Sequence, residues 1–98
     1  MNKYYEPEFI KKIISKASSS WYFATLSQKD DNIEHAMKNV FHALRILDFG
    51  LQIKKYKKIL NYSSMNEVKK KIDNKFNIFD VYDYYEEFIN LSNKLKNE

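Results

Sequence analysis

The sequence predicts an all-α fold, a compact bundle of four to five helices around a long central helix, and three observations carry that prediction. Apolar residues recur every three or four positions along most of the chain, the period of a helix with one buried face. Glycine and proline occur once each, as Gly50 and Pro7, too few for the frequent turns of an all-β chain. The 98 residues bound the chain to one helical domain over 1–98, which can close a core without disulfides.

The first helix is expected in EPEFIKKIISKASSS. Phe9, Ile10, Ile13, Ile14 and Ala17 share a face there, and Pro7 suits a first turn. The run Ser18 to Ser20 is expected to weaken it, and the aromatic patch Trp21-Tyr22-Phe23 is expected in the core. Gln28 to Asn32 reads as a polar connection, with Asp31 as N-cap and Glu34 as first-turn acid of the next helix. That helix shows the strongest periodicity: Ile33, Met37, Val40, Phe41, Leu44, Leu47 and Leu51 place it at about 32 to 56. Gly50 lies inside it at a cost of roughly 1 kcal/mol relative to alanine. After a short apolar connection at Ile59 to Tyr62, Ser64 with Glu67 forms a second capping box. The short helix it opens turns Met65, Val68 and Ile72 inward. A break at 74–79 precedes a last helix from about Asp80 to Leu95, burying Val81, Tyr84, Tyr85, Phe88, Leu91 and Leu95.

Composition removes several functions. With no cysteine there is no disulfide, thiolate nucleophile or zinc–thiolate site, which fits a reducing compartment. A single glycine excludes the phosphate-cradling loops of nucleotide binders. MNKYYEPEF has no apolar h-region and no run approaches ~18 apolar residues, so neither signal peptide nor membrane contact is expected, and the expected location is cytoplasmic. The net charge is +4, unevenly spread. Lys54 to Lys75 holds eight lysines against Glu67 and Asp73, while Phe76 to Leu91 holds Asp80, Asp83, Glu86 and Glu87 and no base. A polyanion would be drawn to the first stretch. The alternative is two solvated helix faces that attract each other.

Within the apolar central segment FHALRILDFGLQI a polar row stands out. Lys38, His42, Arg45 and Gln52 follow steps of four, three and seven, so they share one side of the helix. Asp48, three residues beyond Arg45, is within reach of its guanidinium. An unpaired arginine in a dry core costs several kcal/mol. The row must therefore face water, Asp48 or a bound anion. It is either an ion-paired stripe or a phosphate contact. His35 and His42 stand seven apart, not the four of a helical metal pair, so no metal or other cofactor is expected. Ser18 to Ser20 lack an evident base–acid set, and no catalytic residue is assigned.

The run KNVFHALRILDFGLQIKKYKKILNYSS, then MNEVKKKI and YDYYEEFINLSNKLK, resembles the C-terminal helical region of polymerase-β-type nucleotidyltransferases, in their RlaP-like branch. In that region a Lys-x-x-x-His-x-x-Arg helix precedes a polar turn, a short helix and a final acidic-to-basic helix. Lys38, His42 and Arg45 fit the signature, KASSSWYFATL resembles the preceding helix, and the likeness covers nearly the whole chain. The family's catalytic Gly-Ser motif and metal-binding aspartates are missing from this sequence, and two-metal transfer depends on such carboxylates. Lys57 and Lys58 stand where the family tends to place a glycine. The resemblance therefore implies a non-enzymatic helical binding domain. Helical RNases of the HEPN class need arginine before histidine, the reverse of the order here.

The expected partner is a protein, such as a separately encoded nucleotidyltransferase lobe, or a nucleic acid. The expected binding residues are Lys38, His42, Arg45, Lys54, Lys55, Lys57, Lys58, Lys69 and Lys70. An alternative is a small phage or mobile-element inhibitor, anti-CRISPR-like, that binds a host nucleic-acid-processing protein. A third is direct nucleic-acid binding with Tyr56 and Tyr62 available for stacking.

Overall fold

Two helices of 24 residues, α1 (Glu6–Lys29) and α2 (Ile33–Tyr56), pair antiparallel and set the frame of the molecule. The computed structural model describes residues 6–97. After α2 come α3 (Asn66–Asp73), two 3-10 turns at Phe76–Ile78 and Val81–Tyr84, and α4 (Tyr85–Asn97). The described residues contain no strand, and the result is an all-α bundle measuring 49 × 23 × 19 Å.

Ala17, Trp21 and Ala24 are the buried positions of α1. Two of the three are alanines, which lets α2 approach closely. The serine run, expected to weaken the helix, lies within it, and α1 continues to Lys29. Serine costs only about half a kcal/mol in a helix, and Trp21 and Ala24 anchor the chain beyond it. The aromatic patch divides: Trp21 is buried, stacked on Phe88 with centroids 4.9 Å apart, whereas Tyr22 and Phe23 are exposed. Placing all three in the core was therefore incorrect, because consecutive residues on a helix point about 100° apart.

The turn between α1 and α2 is a Schellman motif. The Asn32 N–H donates to the Ser27 carbonyl at 2.8 Å, and the Asp31 N–H donates to that of Gln28 at 3.0 Å. Asp31 occupies the left-handed position, φ 62°, so it ends α1 and does not cap α2. The N-cap is Asn32, whose side chain accepts from the His35 N–H at 3.4 Å.

α2 is central, touching α1, α3, α4 and both 3-10 turns. It buries Ala36, Met37, Val40, Ala43, Leu44, Leu47 and Gly50. α4 begins at the α1–α2 turn, where Gln28 donates to Asp80 Oδ1 at 3.1 Å and accepts from the Val81 N–H at 2.7 Å. It ends beside the C-terminus of α2, where Lys54 Nζ donates to the Leu95 carbonyl at 2.7 Å. α4 is thus parallel to α2. Residues 81–84, expected in the last helix, form a 3-10 turn capped by Asp80, and Tyr85 is exposed. The α3 cap also differs from expectation: Met65 holds the N-cap position, and the Ser64 hydroxyl donates to Asp48 on α2.

Candidate nucleic-acid interface

The outer face of α2 carries the polar row. Lys38 and His42 are exposed and Arg45 is half-buried. The Arg45–Asp48 pair allowed by spacing does not form. Asp48 Oδ2 accepts from the Ser64 hydroxyl and from Gln52 Nε2 at 3.0 Å. The Arg45 guanidinium instead lies over the Phe49 ring, 4.9 Å from its centroid, the residue one turn on. Phe49 in turn meets Tyr62 edge-on, centroids 5.6 Å apart. A cation on an aromatic face is held without being neutralised, so the positive charge of Arg45 stays available.

Gln52, expected in the row, turns toward the chain that follows α2. Its Oε1 accepts from the N–H groups of Leu60 and Asn61 at 2.9 and 2.8 Å, and its Nε2 donates to the Asn61 carbonyl at 2.9 Å. These bonds hold the 57–65 connection against α2 and place Tyr62 over Phe49. Lys38, His42, Arg45, Phe49 and Tyr56 then continue down one side of the helix, roughly 27 Å from end to end at 1.5 Å per residue. At its far end Lys38 stands at the rim of a groove of about 820 Å³ between α2 and α3, also lined by Met37, Phe41, Ile72 and Phe76.

The lysines of 54–75 separate into two places. Lys69 pairs with Asp73 at 3.0 Å and Lys70 with Glu67 at 3.6 Å, both on exposed α3. Such surface pairs contribute little, but they lower the local positive field. Lys54 is committed to the Leu95 carbonyl. Lys55 and Lys58 are exposed. Lys57 takes the left-handed C-cap of α2, φ 64°, its N–H donating to the Ile53 carbonyl.

Tertiary structure adds lysines that the sequence reading missed. Gly50, Ile13 and Leu95 meet at one point, so the N-terminal half of α1 and the C-termini of α2 and α4 share one end of the bundle. Lys11 and Lys12 thereby share this end with Lys55 and Lys58 and with Lys94 and Lys96 of α4, and Lys16 lies about one turn further toward the middle of α1. Among the described residues, none of these seven lies within 4 Å of a carboxylate, and Glu8 is the acid nearest in sequence to the α1 lysines. The opposite end holds Asp30, Asp31, Glu34, Asp80 and Asp83, with Lys29 and Lys38 among them. A signal was present in the Lys12–Lys16 spacing, but nothing local reveals that three helices bring their lysines together.

Among the described residues no group of three or more His, Asp or Glu is placed to hold a metal ion. No helix among them is long and apolar enough to cross a membrane. Comparison with protein-family models, with curated proteins and with solved structures returned no match to this chain.

Proposed function

We propose that this chain is a non-catalytic nucleic-acid-binding module that receives a single strand along the outer face of α2 and grips its phosphates at the lysine-rich end. The observation that carries the reading is the state of Arg45: its guanidinium rests on Phe49 while Asp48 is engaged by Ser64 and Gln52. A cation held in place and not neutralised suits a phosphate oxygen. Exposed Tyr56 and Tyr62 offer faces on which bases stack irrespective of sequence. A single strand is favoured over a duplex because stacked rings need unpaired bases. The resemblance to the helical region of nucleotidyltransferases supports the same face, since its signature residues are Lys38, His42 and Arg45.

Fluorescence anisotropy of a labelled oligothymidylate tests the reading. Affinity is expected to fall steeply with salt. Arg45→Ala and Tyr62→Ala are each expected to weaken binding about tenfold, corresponding to ~1.4 kcal/mol, with helical circular dichroism unchanged. Absence of binding at low salt, or an Arg45→Ala affinity equal to that of the parent, refutes it.

A further inference from the structure

The end of the bundle where α2 stops combines lysines with apolar side chains that the fold leaves in solvent. Residues 54–66 contain four lysines and no acid. The Gln52 bonds to Leu60 and Asn61 fold the chain back along α2, so Lys57, Lys58 and Ile59 form the turn at the tip. Leu60 is 55% and Tyr56 50% exposed, and Ile59 is half-buried. α4 ends beside this turn, since Lys54 donates to the Leu95 carbonyl. Lys94 and Lys96 flank Leu95, and α4 carries no acid between Glu87 and its end at Asn97. Among the described residues, the acids at this end are those in the first turn of α1, and Lys11 and Lys12 follow one turn later. An exposed leucine among lysines adds nothing to the core and offers no ring on which a base stacks.

We infer that this tip docks on an anionic lipid surface. The lysines of α2 and α4 meet the headgroups, and Leu60 and Tyr56 enter the boundary between headgroups and acyl chains. Two features select this occupant. The first is charge: an anionic leaflet attracts a lysine cluster, and the opposite end, where acids outnumber lysines, is held away, so the molecule approaches tip first. The second is the aliphatic side chain. Leu60 gains from leaving water for an apolar medium, which acyl chains supply and a phosphate backbone does not. Tyrosine and lysine suit the same boundary, each with an apolar body and a polar tip that stays wet. No helix among the described residues is long and apolar enough to cross a membrane, and one leucine beside one ring gives a reversible attachment that depends on the lysines. The inference goes beyond nucleic-acid binding and does not rest on it. The two readings share lysines, but Leu60 serves the lipid contact alone.

Co-sedimentation with phosphatidylserine–phosphatidylcholine vesicles tests the contact. The chain is expected to pellet with them at low salt, to be released as salt rises, and to stay in solution with phosphatidylcholine alone. Leu60→Ser is expected to weaken vesicle binding about tenfold, with the thermal melt and any oligothymidylate affinity kept at the parent's values. Insertion is read by Leu60→Trp, whose emission is expected to shift to the blue with these vesicles. Tyr82→Trp, at the acidic end, is expected not to shift; buried Trp21 is common to both variants. Vesicle binding by a chain that ignores oligothymidylate would support this inference and refute the earlier one. Failure to pellet at low salt overturns the proposal. Pelleting of Leu60→Ser equal to the parent's also overturns it, since the contact would then be electrostatic alone. So does an equal emission shift from the two tryptophan variants.

Discussion

Gly50 is where α1 and α4 both press on α2. A β-carbon there would fall 2.7 Å from Cγ2 of Ile13 and 3.5 Å from Cδ2 of Leu95. The Ile13 methyl sits on a branched β-carbon and has little freedom to swing aside. Alanine would gain about 1 kcal/mol of helix propensity, but overpacking costs about 1–3 kcal/mol. Gly50→Ala is therefore expected to lower the melting temperature, and a rise in a thermal melt would contradict the close approach. Tyr84 makes a different residue-scale case. Its buried hydroxyl has no hydrogen-bond partner among the described residues. Burial, aided by the charges of Asp83 and Glu87, pushes its pKa above the ordinary 10.0. The unfolded chain thus ionises first as pH rises. Stability tied to this phenol is complete below pH 10.0 and is lost as pH climbs from there through the folded value. Tyr84→Phe removes both the ionisation and the orphaned hydroxyl. It is expected to match the parent at neutral pH and to lose less stability by about pH 11, in denaturant melts at both pH values.

At the scale of elements, one side chain fixes a whole connection. Gln52 bonds to Leu60, Asn61, Ser64 and Asp48. Gln52→Ala is expected to cost about 1 kcal/mol and to speed tryptic cleavage at Lys57 and Lys58; an unchanged cleavage rate would show the connection to be held elsewhere. The same connection shows what sequence patterns do and do not reveal. The spacing of Ile33 through Leu51 placed α2 to within a residue of its N-terminus, because burial of one helix face is a strictly periodic demand. Caps were less legible. Ser64 and Glu67 have capping-box spacing, but Ser64 finds Asp48 sixteen residues back, a competitor no local pattern contains. Arg45 had two legal neighbours, Asp48 and Phe49, and choosing between them required knowing that Ser64 and Gln52 would arrive at the carboxylate.

Across the whole molecule, charge is polarised along the long axis. Because α2 and α4 run parallel, the negative ends of both helix dipoles lie at the same end, and lysines there are favourable on that ground alone. The chain goes further by adding Lys11 and Lys12 from α1, whose N-terminus carries the opposite dipole. Those lysines are surplus to what the dipoles require. Lys12→Glu and Lys94→Glu, far apart in sequence, are therefore expected to weaken oligonucleotide binding comparably and to reduce its salt slope by about one phosphate contact each. If only the Lys54–Lys58 segment mattered, both variants would bind like the parent.

The short turn at 30–32 also orders events in time. It lets α1 and α2 zip together through contacts between near neighbours in sequence, at small loop-closure cost. The Gln28 bonds to Asp80 and Val81 join residues more than fifty positions apart. α4 must wait for that hairpin, since Trp21 and Gly50, which receive Phe88 and Leu95, are aligned only once α1 and α2 have met. The last helix is therefore expected to exchange its amide hydrogens faster than α1 and α2, since opening it alone would uncover Trp21 while the central hairpin still stands.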